Sequence, residues 1–479
     1  MNNEILASEI KENYPFSPTS GQETAIGLLS LFVCSEGERK AFLLKGYAGT
    51  GKTTLVGALV KTLRHQNIRV VLLAPTGRAA KVFSSYSGYQ ANTIHKKIYR
   101  QKNILDSSSF VIDRNLSENT LFLVDEASMI PNEGLSGSMF GSGRLLDDLI
   151  SYVYQGKNCR LVMLGDQAQL PPVGETESPA LSVGILSHYG LEVTEVCLDK
   201  VMRQGYDSGI LYNATLLRQV LDGLKRNIPG EFRFRLDGFG DVKRIRGDEL
   251  IEAISDCYSR DGQEETMVLC RSNKRANVYN EGIRRTVLDR EDELNRGDNV
   301  MIVKNNYYWT ERLVAEGETD SYIDVPSFIA NGDIAVISRI RRQRELYGFR
   351  FVDAVLTFPD YYDLEMDVTL LLDTLHSEAP SLTREESDKL FNSVMEDYAE
   401  IASKKKKMEL LRENPHFNAL QIKYAYAVTC HKAQGGQWKN IFIDQGYVTP
   451  EMQDEDYYRW LYTALTRATQ TVYLVNWPE

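Results

Sequence analysis

The stretch Gly46-Tyr47-Ala48-Gly49-Thr50-Gly51-Lys52-Thr53 limits what this chain can fold into more than any other. It meets the G-x-x-x-x-G-K-[ST] phosphate loop at every fixed position, and its flanks agree with it. Ala41-Phe42-Leu43-Leu44 reads as a buried parallel strand entering the loop, and Thr53 to Val60 as a helix leaving it. Gly46, Gly49 and Gly51 let successive backbone N–H groups turn inward around a phosphate chain, at which the helix aims its positive end. Thr50 and Thr54 belong to the same phosphate-binding set. Lys52 is placed to reach the β/γ-phosphates and the Thr53 hydroxyl to sit on Mg²⁺. A Gly-rich turn with an incidental Lys-Thr pair would not need strand, loop and helix to agree. The stretch predicts a bound nucleoside triphosphate.

At 479 residues the chain exceeds one ordinary core, and roughly three or four domains are expected. Hydrophobic residues at 43% and aromatics at 10% are those of a fully globular protein. No run reaches the roughly 18 apolar residues of a membrane span, and Met1-Asn2-Asn3-Glu4 lacks the basic start of a signal peptide. Six scattered cysteines without a C-x-x-C pair suggest neither a disulfide framework nor a zinc site. A reduced, intracellular, cytoplasmic protein with no membrane partner is expected. The net charge of −11 argues against coating nucleic acid with a basic surface. It leaves open a narrow groove, where only local charge matters.

To about Tyr189 short apolar strands alternate with helical stretches. The strands are Phe42–Leu44, Val70–Leu73, Leu121–Val124 and Arg160–Leu164. This is the α/β doubly wound pattern, with ligand groups expected at the carboxyl ends of strands. Between His95 and Leu121 there is room for a small excursion such as a β-hairpin. A second α/β pattern begins at Leu191–Cys197, passes through a helical Tyr212–Leu224 and the strand Met267–Cys270, and breaks off near Gly297. From Asp298 to about Asp373 the period is strand-like, as in a small barrel. Lys404 to Lys407 lie in a charged helical stretch and read as a solvated face. The α/β pattern resumes at Ile422, so the β-rich unit is expected as an insertion.

Leu121-Phe122-Leu123-Val124-Asp125-Glu126 ends an apolar strand in two carboxylates. Asp125 can hold the Mg²⁺ shell, and Glu126 can orient or deprotonate a water for in-line attack on the γ-phosphate. A kinase excludes water, so the pair favours ATP hydrolysis over phosphoryl transfer. After the next strand, in Gly165-Asp166-Gln167-Ala168-Gln169-Leu170-Pro171-Pro172, Gln169 offers a neutral amide to a γ-phosphate oxygen on a loop stiffened by two prolines.

Taken together, these stretches resemble the superfamily 1 helicases, specifically the RecD-like and Dda-like branch. Phe16-Ser17-Pro18-Thr19 with Gln22 is similar to the N-terminal segment whose Gln reads adenine. Ala74-Pro75-Thr76-Gly77-Arg78-Ala79-Ala80 and Thr93-Ile94-His95 resemble the first-domain DNA-contact motifs. Val201-Met202-Arg203-Gln204 resembles the motif that supplies an arginine from the second core. Thr429-Cys430-His431-Lys432-Ala433-Gln434-Gly435 is close to T-x-H-K-S-Q-G, with Ala433 where Ser is usual. Leu461-Tyr462-Thr463-Ala464-Leu465-Thr466-Arg467-Ala468 is similar to the final motif.

The resemblance implies an α/β fold of two RecA-like cores, with ATP and Mg²⁺ in the cleft between them. The first would span residues 1–190, with a wedge hairpin at 96–120; the second, 191–297 and 421–479. An SH3-like β unit with a helical extension would occupy 298–420. It further implies Lys52, Glu126, Gln169, Arg203 and Arg467 as the catalytic set, Thr53 and Asp125 at the metal, and Gln22 and Gly435 among the nucleotide contacts. Taken alone, Arg467 reads as a helix arginine satisfying a carboxylate. DNA contacts are expected at Thr76, Gly77, Arg78, Thr93, His95, Asn273, Thr429, His431, Lys432 and Gln434, which suit phosphates and sugars better than base edges. Phe110 either stacks at the duplex junction or packs in its own small core. Tyr307, Tyr308 and Trp309 are either stacking platforms or barrel core. The implied activity is ATP-driven 5′-to-3′ movement on single-stranded DNA with unwinding of forked duplex, by a monomer. Rival readings are a translocase that remodels protein or RNA complexes without unwinding, a P-loop kinase, and a passive single-strand binder.

Overall fold

The computed structural model describes residues 2–35, 37–103, 106–134, 141–201, 208–226, 228, 230–316, 326, 328–477. The chain packs as two compact units, the first comprising 1–244, 433–441 and 447–474 and the second 245–432, 442–446 and 475–479. Among the described residues no helix is long and apolar enough to cross a membrane.

The first unit is built on β1 (Lys40–Gly46), β2 (Arg69–Ala74), β3 (Ala91–Thr93), the antiparallel pair β4 (Tyr99–Asn103) and β5 (Asp106–Ile112), β6 (Thr120–Val124), β7 (Arg160–Gly165) and β8 (Glu192–Leu198). Six of these form one sheet in the order β3-β2-β6-β7-β1-β8, and every neighbouring pair is parallel. The inner strands are apolar runs because helices cover both faces of a parallel sheet; Ala41 to Leu44 and Phe122 to Val124 are fully buried. With all strands parallel, the loops after β2, β6, β7 and β1 emerge along one edge. The phosphate loop, Asp125 and Asp166 therefore come to the same edge despite their separation in sequence.

One strand moves relative to expectation. Leu191–Cys197 reads from sequence as the opening of a second α/β pattern, yet β8 pairs with β1 over Lys40↔Glu192 to Gly46↔Leu198. Lys45 Nζ lies 2.8 Å from Glu195 Oε1 across that pair. Alternation marks a strand but does not choose its sheet, so the expected break at 190 falls inside this unit. The expected excursion after His95 is the β4–β5 pair, with Tyr99 opposite Ile112 and Gln101 opposite Phe110.

Further on lie β9 (Val242–Ile245), β10 (Thr266–Cys270), β11 (Asn299–Ile302), β12 (Ile334–Leu346), β13 (Phe349–Phe358), β14 (Leu364–Leu371), β15 (Leu420–Tyr424), β16 (Ala427–Thr429), β17 (Trp438–Asp444) and β18 (Ala468–Val475). A five-stranded sheet runs β16-β10-β17-β18-β9, and β11 to β15 close a barrel. The barrel extends past the expected end at 420, because Ile422 to Tyr424 pair with β11 instead of resuming the α/β pattern. Tyr307 and Trp309 are buried, and Trp309 Nε1 donates to the Asn418 carbonyl at 2.9 Å. Lys404 to Lys406 are exposed at the start of the Lys404–Arg412 helix, as a solvated face requires.

Asp333, at the mouth of β12, is buried and accepts 2.7 Å hydrogen bonds from the Ala330 N–H and the Tyr361 hydroxyl. Burial nevertheless pushes its carboxyl up to about 7, with Asp360 adding to the rise. The ordinary carboxylate value is about 4. Between about pH 4 and about pH 7 the folded protein therefore keeps a proton that the unfolded chain has released, and stability declines as pH rises through that window. Asp333→Asn, which cannot ionise, is expected to flatten this slope in urea midpoints measured across the same window.

Candidate active site

The phosphate loop joins β1 to the Lys52–His65 helix. Gly49 and Gly51 adopt φ of 73° and 77°, a region open to glycine at no steric cost. A Cβ on Gly51 would stand 2.6 Å from Gln22 Nε2. The loop is braced from within by the Thr50 hydroxyl, which donates to the Tyr47 carbonyl at 2.7 Å. From behind, Gln22 Nε2 donates to the Thr50 carbonyl at 2.8 Å, while Gln22 Oε1 accepts from the Thr19 N–H. Gln22 is expected to read adenine; here it is fully buried and its amide spans the helix cap and the loop.

Two acids follow β6. The Asp125 N–H donates to the Leu73 carbonyl, and Asp125 Oδ2 accepts from the Tyr86 hydroxyl at 2.6 Å. Glu126 takes a left-handed φ of 50°. Its Oε1 lies 3.7 Å from Arg467 Nη1, and its Oε2 is buried without a hydrogen-bond partner. Burial pushes the Glu126 carboxyl up, while the Arg467 guanidinium and more weakly Lys52 hold it down. Gln169 Oε1 is likewise buried and unpartnered. Two polar atoms left bare at one edge of a sheet need an explanation, and a ligand in the adjoining cavity supplies it. That cavity, about 590 Å³, is lined by Gly46, Gly49, Gly51, Lys52, Thr53 and Thr54, and also by Asp125, Glu126, Gln169, Gly435 and Arg467.

Arg467 is 3% exposed, and its guanidinium also donates to the carbonyls of Thr463 (3.2 Å) and Gly436 (3.3 Å). Arg467 lies in the turn between the Glu455–Leu465 helix and β18, and that helix clasps the Gln169 loop. The Leu170 N–H donates to Thr463 Oγ1 at 2.8 Å, and Arg459 Nη1 donates to the carbonyls of Gln167 and Gln169. The Tyr462 hydroxyl accepts from the Ala48 N–H and donates to Asp166 Oδ2 at 2.6 Å, tying phosphate loop, β7 loop and final motif through one oxygen. Burial raises the Asp166 carboxyl, and Lys52 opposes the rise. Asp166 and Tyr462 lay inside stretches visible in the sequence, whereas Tyr86 had no signal there. Arg203 lies outside the described residues.

The expected nucleic-acid residues fall into groups. In the first unit, the Thr76 and Thr93 hydroxyls cap helices by accepting from the Ala79 and Lys96 N–H groups. Gly77 is buried in the first turn of its helix. Arg78 lies over the Trp438 ring at 4.1 Å and donates to the Gln437 carbonyl. Gln434 is 7% exposed and donates to the Leu170 carbonyl at 2.7 Å, and Gly435 takes φ 74° close to Thr76 and Ala79. Burial lowers the His95 imidazole to about 4, so the ring is neutral at physiological pH. Phe110 is 7% exposed. In the second unit, Thr429 ends β16 opposite Cys270, His431 is exposed, and burial together with Lys423 lowers Lys432 to about 8. Asn273 Nδ2 donates to the Glu378 carbonyl at 3.4 Å.

Two family models match the chain: an AAA domain over residues 30–220 and a UvrD-like helicase C-terminal domain over residues 424–475. An uncharacterised protein of Acanthamoeba polyphaga mimivirus is 23% identical over 94% of this chain and 98% of its own length. The ATP-dependent DNA helicase Dda of Enterobacteria phage T4 is 25% identical over 62% of this chain and 63% of Dda. The solved structure of Pif1 helicase from Bacteroides in complex with ADP-AlF3 and ssDNA is similar at 14% identity and a TM-score of 0.43, covering 96% of this chain and 93% of that one. An AAA domain model thus covers the phosphate-loop region, a UvrD-like helicase C-terminal domain model covers the final segment, and over more than half of its length the chain is similar in sequence to a phage ATP-dependent DNA helicase.

Proposed function

We propose that this protein is an ATP-dependent DNA helicase that moves 5′ to 3′ along single-stranded DNA and unwinds forked duplex as a monomer. The observation that carries the reading is the cavity in which Lys52 and Arg467 accompany two unpartnered oxygens, Glu126 Oε2 and Gln169 Oε1. Triphosphate oxygens and an attacking water are the ligands that this donor and acceptor set would satisfy.

The Thr53 hydroxyl and an Asp125 oxygen fit Mg²⁺, a hard cation held in such sites by one or two carboxylates together with substrate phosphates. Among the described residues no cluster of three or more His, Cys, Asp or Glu stands ready to hold an ion alone. When bound, the ion neutralises charge on the phosphates. Lys52 adds a second positive charge at the β/γ-phosphates, Glu126 accepts the proton of the attacking water, and Gln169 contacts the γ-phosphate. Arg467, and Arg203 as its proposed counterpart, stabilise the charge that develops on the transferred group.

The proposed architecture is two RecA-like cores with an SH3-like barrel inserted in the second. Thr429, His431, Lys432 and Asn273 would hold the strand on one core, and Thr76, Arg78, Thr93 and His95 on the other, with Gly77 and Gln434 beside them. The β4–β5 pair is the proposed wedge. The Phe110 ring is buried, so its stacking at a junction requires that the fork uncover it. Polarity rests on the family resemblance. ATPase rates with and without single-stranded DNA, followed by unwinding of forks bearing only a 5′ or only a 3′ tail, test the reading. DNA-stimulated hydrolysis and unwinding of the 5′-tailed fork are expected. Equal rates with and without DNA, or preference for the 3′ tail, reject it.

A further inference from the structure

Tyr86 belongs to none of the sequence motifs, yet its hydroxyl makes the 2.6 Å hydrogen bond to Asp125 Oδ2. An ionised carboxylate only accepts, so the phenol is the donor. Asp125 is 9% exposed, and among the described residues its carboxylate takes no other hydrogen bond. One oxygen is therefore held and the other carries no hydrogen bond, and Asp125 lines the same cavity as Thr53 and Tyr86.

The phenol is itself held from two sides. Its ring stacks on Phe83, one turn earlier in the Gly77–Ser87 helix, with centroids 5.1 Å apart and planes at 25°; Phe83 is fully buried. On the other side, the Tyr86 carbonyl oxygen lies 3.0 Å from where a Cβ on Gly57 would stand. Gly57 sits in the Lys52–His65 helix that also carries Thr53. The close approach that glycine permits thus sets Tyr86 against the helix bearing the other proposed ligand.

We propose that Tyr86 is a positioning residue for the divalent cation, locking the Asp125 carboxylate so that its free oxygen faces the ion beside the Thr53 hydroxyl. The proposal rests on the nucleotide-site reading above. Ligating carboxylates are oriented by outer hydrogen-bond partners, whose loss costs about 10–100-fold in metal affinity.

Tyr86→Phe removes one oxygen and keeps the ring on Phe83. Mn²⁺ binding to the full chain with ADP present, read by electron paramagnetic resonance without turnover, is expected to weaken about tenfold or more. ADP binding in EDTA, which reports the phosphate loop and the fold, is expected to stay unchanged. Equal or tighter Mn²⁺ binding by the variant overturns the role of Tyr86, as does a parallel loss of ADP binding in EDTA, which would mark a structural role. Should the unsubstituted protein bind neither ADP nor Mn²⁺·ADP, the nucleotide-site reading falls, and Tyr86 with it.

Discussion

Glu126→Gln is expected to leave nucleotide binding intact and to lower ATP turnover by about 10²–10⁴-fold, the range for loss of a positioned general base. The substitution keeps the shape of the side chain, its left-handed backbone and one oxygen toward Arg467. What it removes is the charge and the ability to take a proton at Oε2, the atom now buried without a partner. Burial raises the Glu126 carboxyl, which makes it a better base than a solvated carboxylate, and the Arg467 guanidinium opposes that rise. Neither feature survives in an amide. Single-turnover hydrolysis beside equilibrium binding of a fluorescent ATP analogue separates the two effects. A variant that binds and hydrolyses ATP at the normal rate would remove Glu126 from the chemistry.

The residues around this acid show which parts of the site were legible in the chain. Lys52, Thr53, Asp125, Glu126 and Gln169 each stand within a few residues of a buried parallel strand, so an apolar run followed by a polar turn announces them. Their convergence on one cavity follows from parallel strand order. Long-range partners leave no such trace. Gln434 meets Leu170 across 264 positions and Arg78 meets Gln437 across 359. The motif containing Gln434 pointed to DNA, but its amide is occupied by the Gln169 loop. Tyr86 was invisible because a tyrosine on the buried side of a short helix reads as core, and only the fold brings its hydroxyl to Asp125.

Strand membership failed for a related reason. An apolar pattern marks out Leu191–Cys197 and the stretch from Ile422, but the pairing partners of β8 and β15 depend on edges that become available only once other strands are placed. β8 takes the open edge beside β1 and β15 closes the barrel beside β11. From sequence, both stretches read as part of the neighbouring α/β pattern.

Arg467→Ala is expected to have the largest effect, about 10³–10⁵-fold in hydrolysis if the guanidinium serves as an arginine finger. The geometry allows two separable consequences. Loss of the cation removes stabilisation of charge on the transferred phosphoryl group, which lowers the rate at every pH. It also removes the principal influence holding the Glu126 carboxyl down, so that burial and Asp125 drive it higher. A base with a raised value is protonated over a wider range, and the acid limb of the pH–rate profile must then move to higher pH. Arg467→Lys keeps a positive charge near Glu126 but cannot reproduce the forked donation to Thr463 and Gly436. It is expected to restore the position of the acid limb while recovering little of the rate. If the alanine variant lowered the rate with no change in the limb, the 3.7 Å pair would be incidental to the base. If the lysine variant restored the full rate, a point charge would suffice, and the buried fork that the turn after the Glu455–Leu465 helix presents to the cavity would have another purpose.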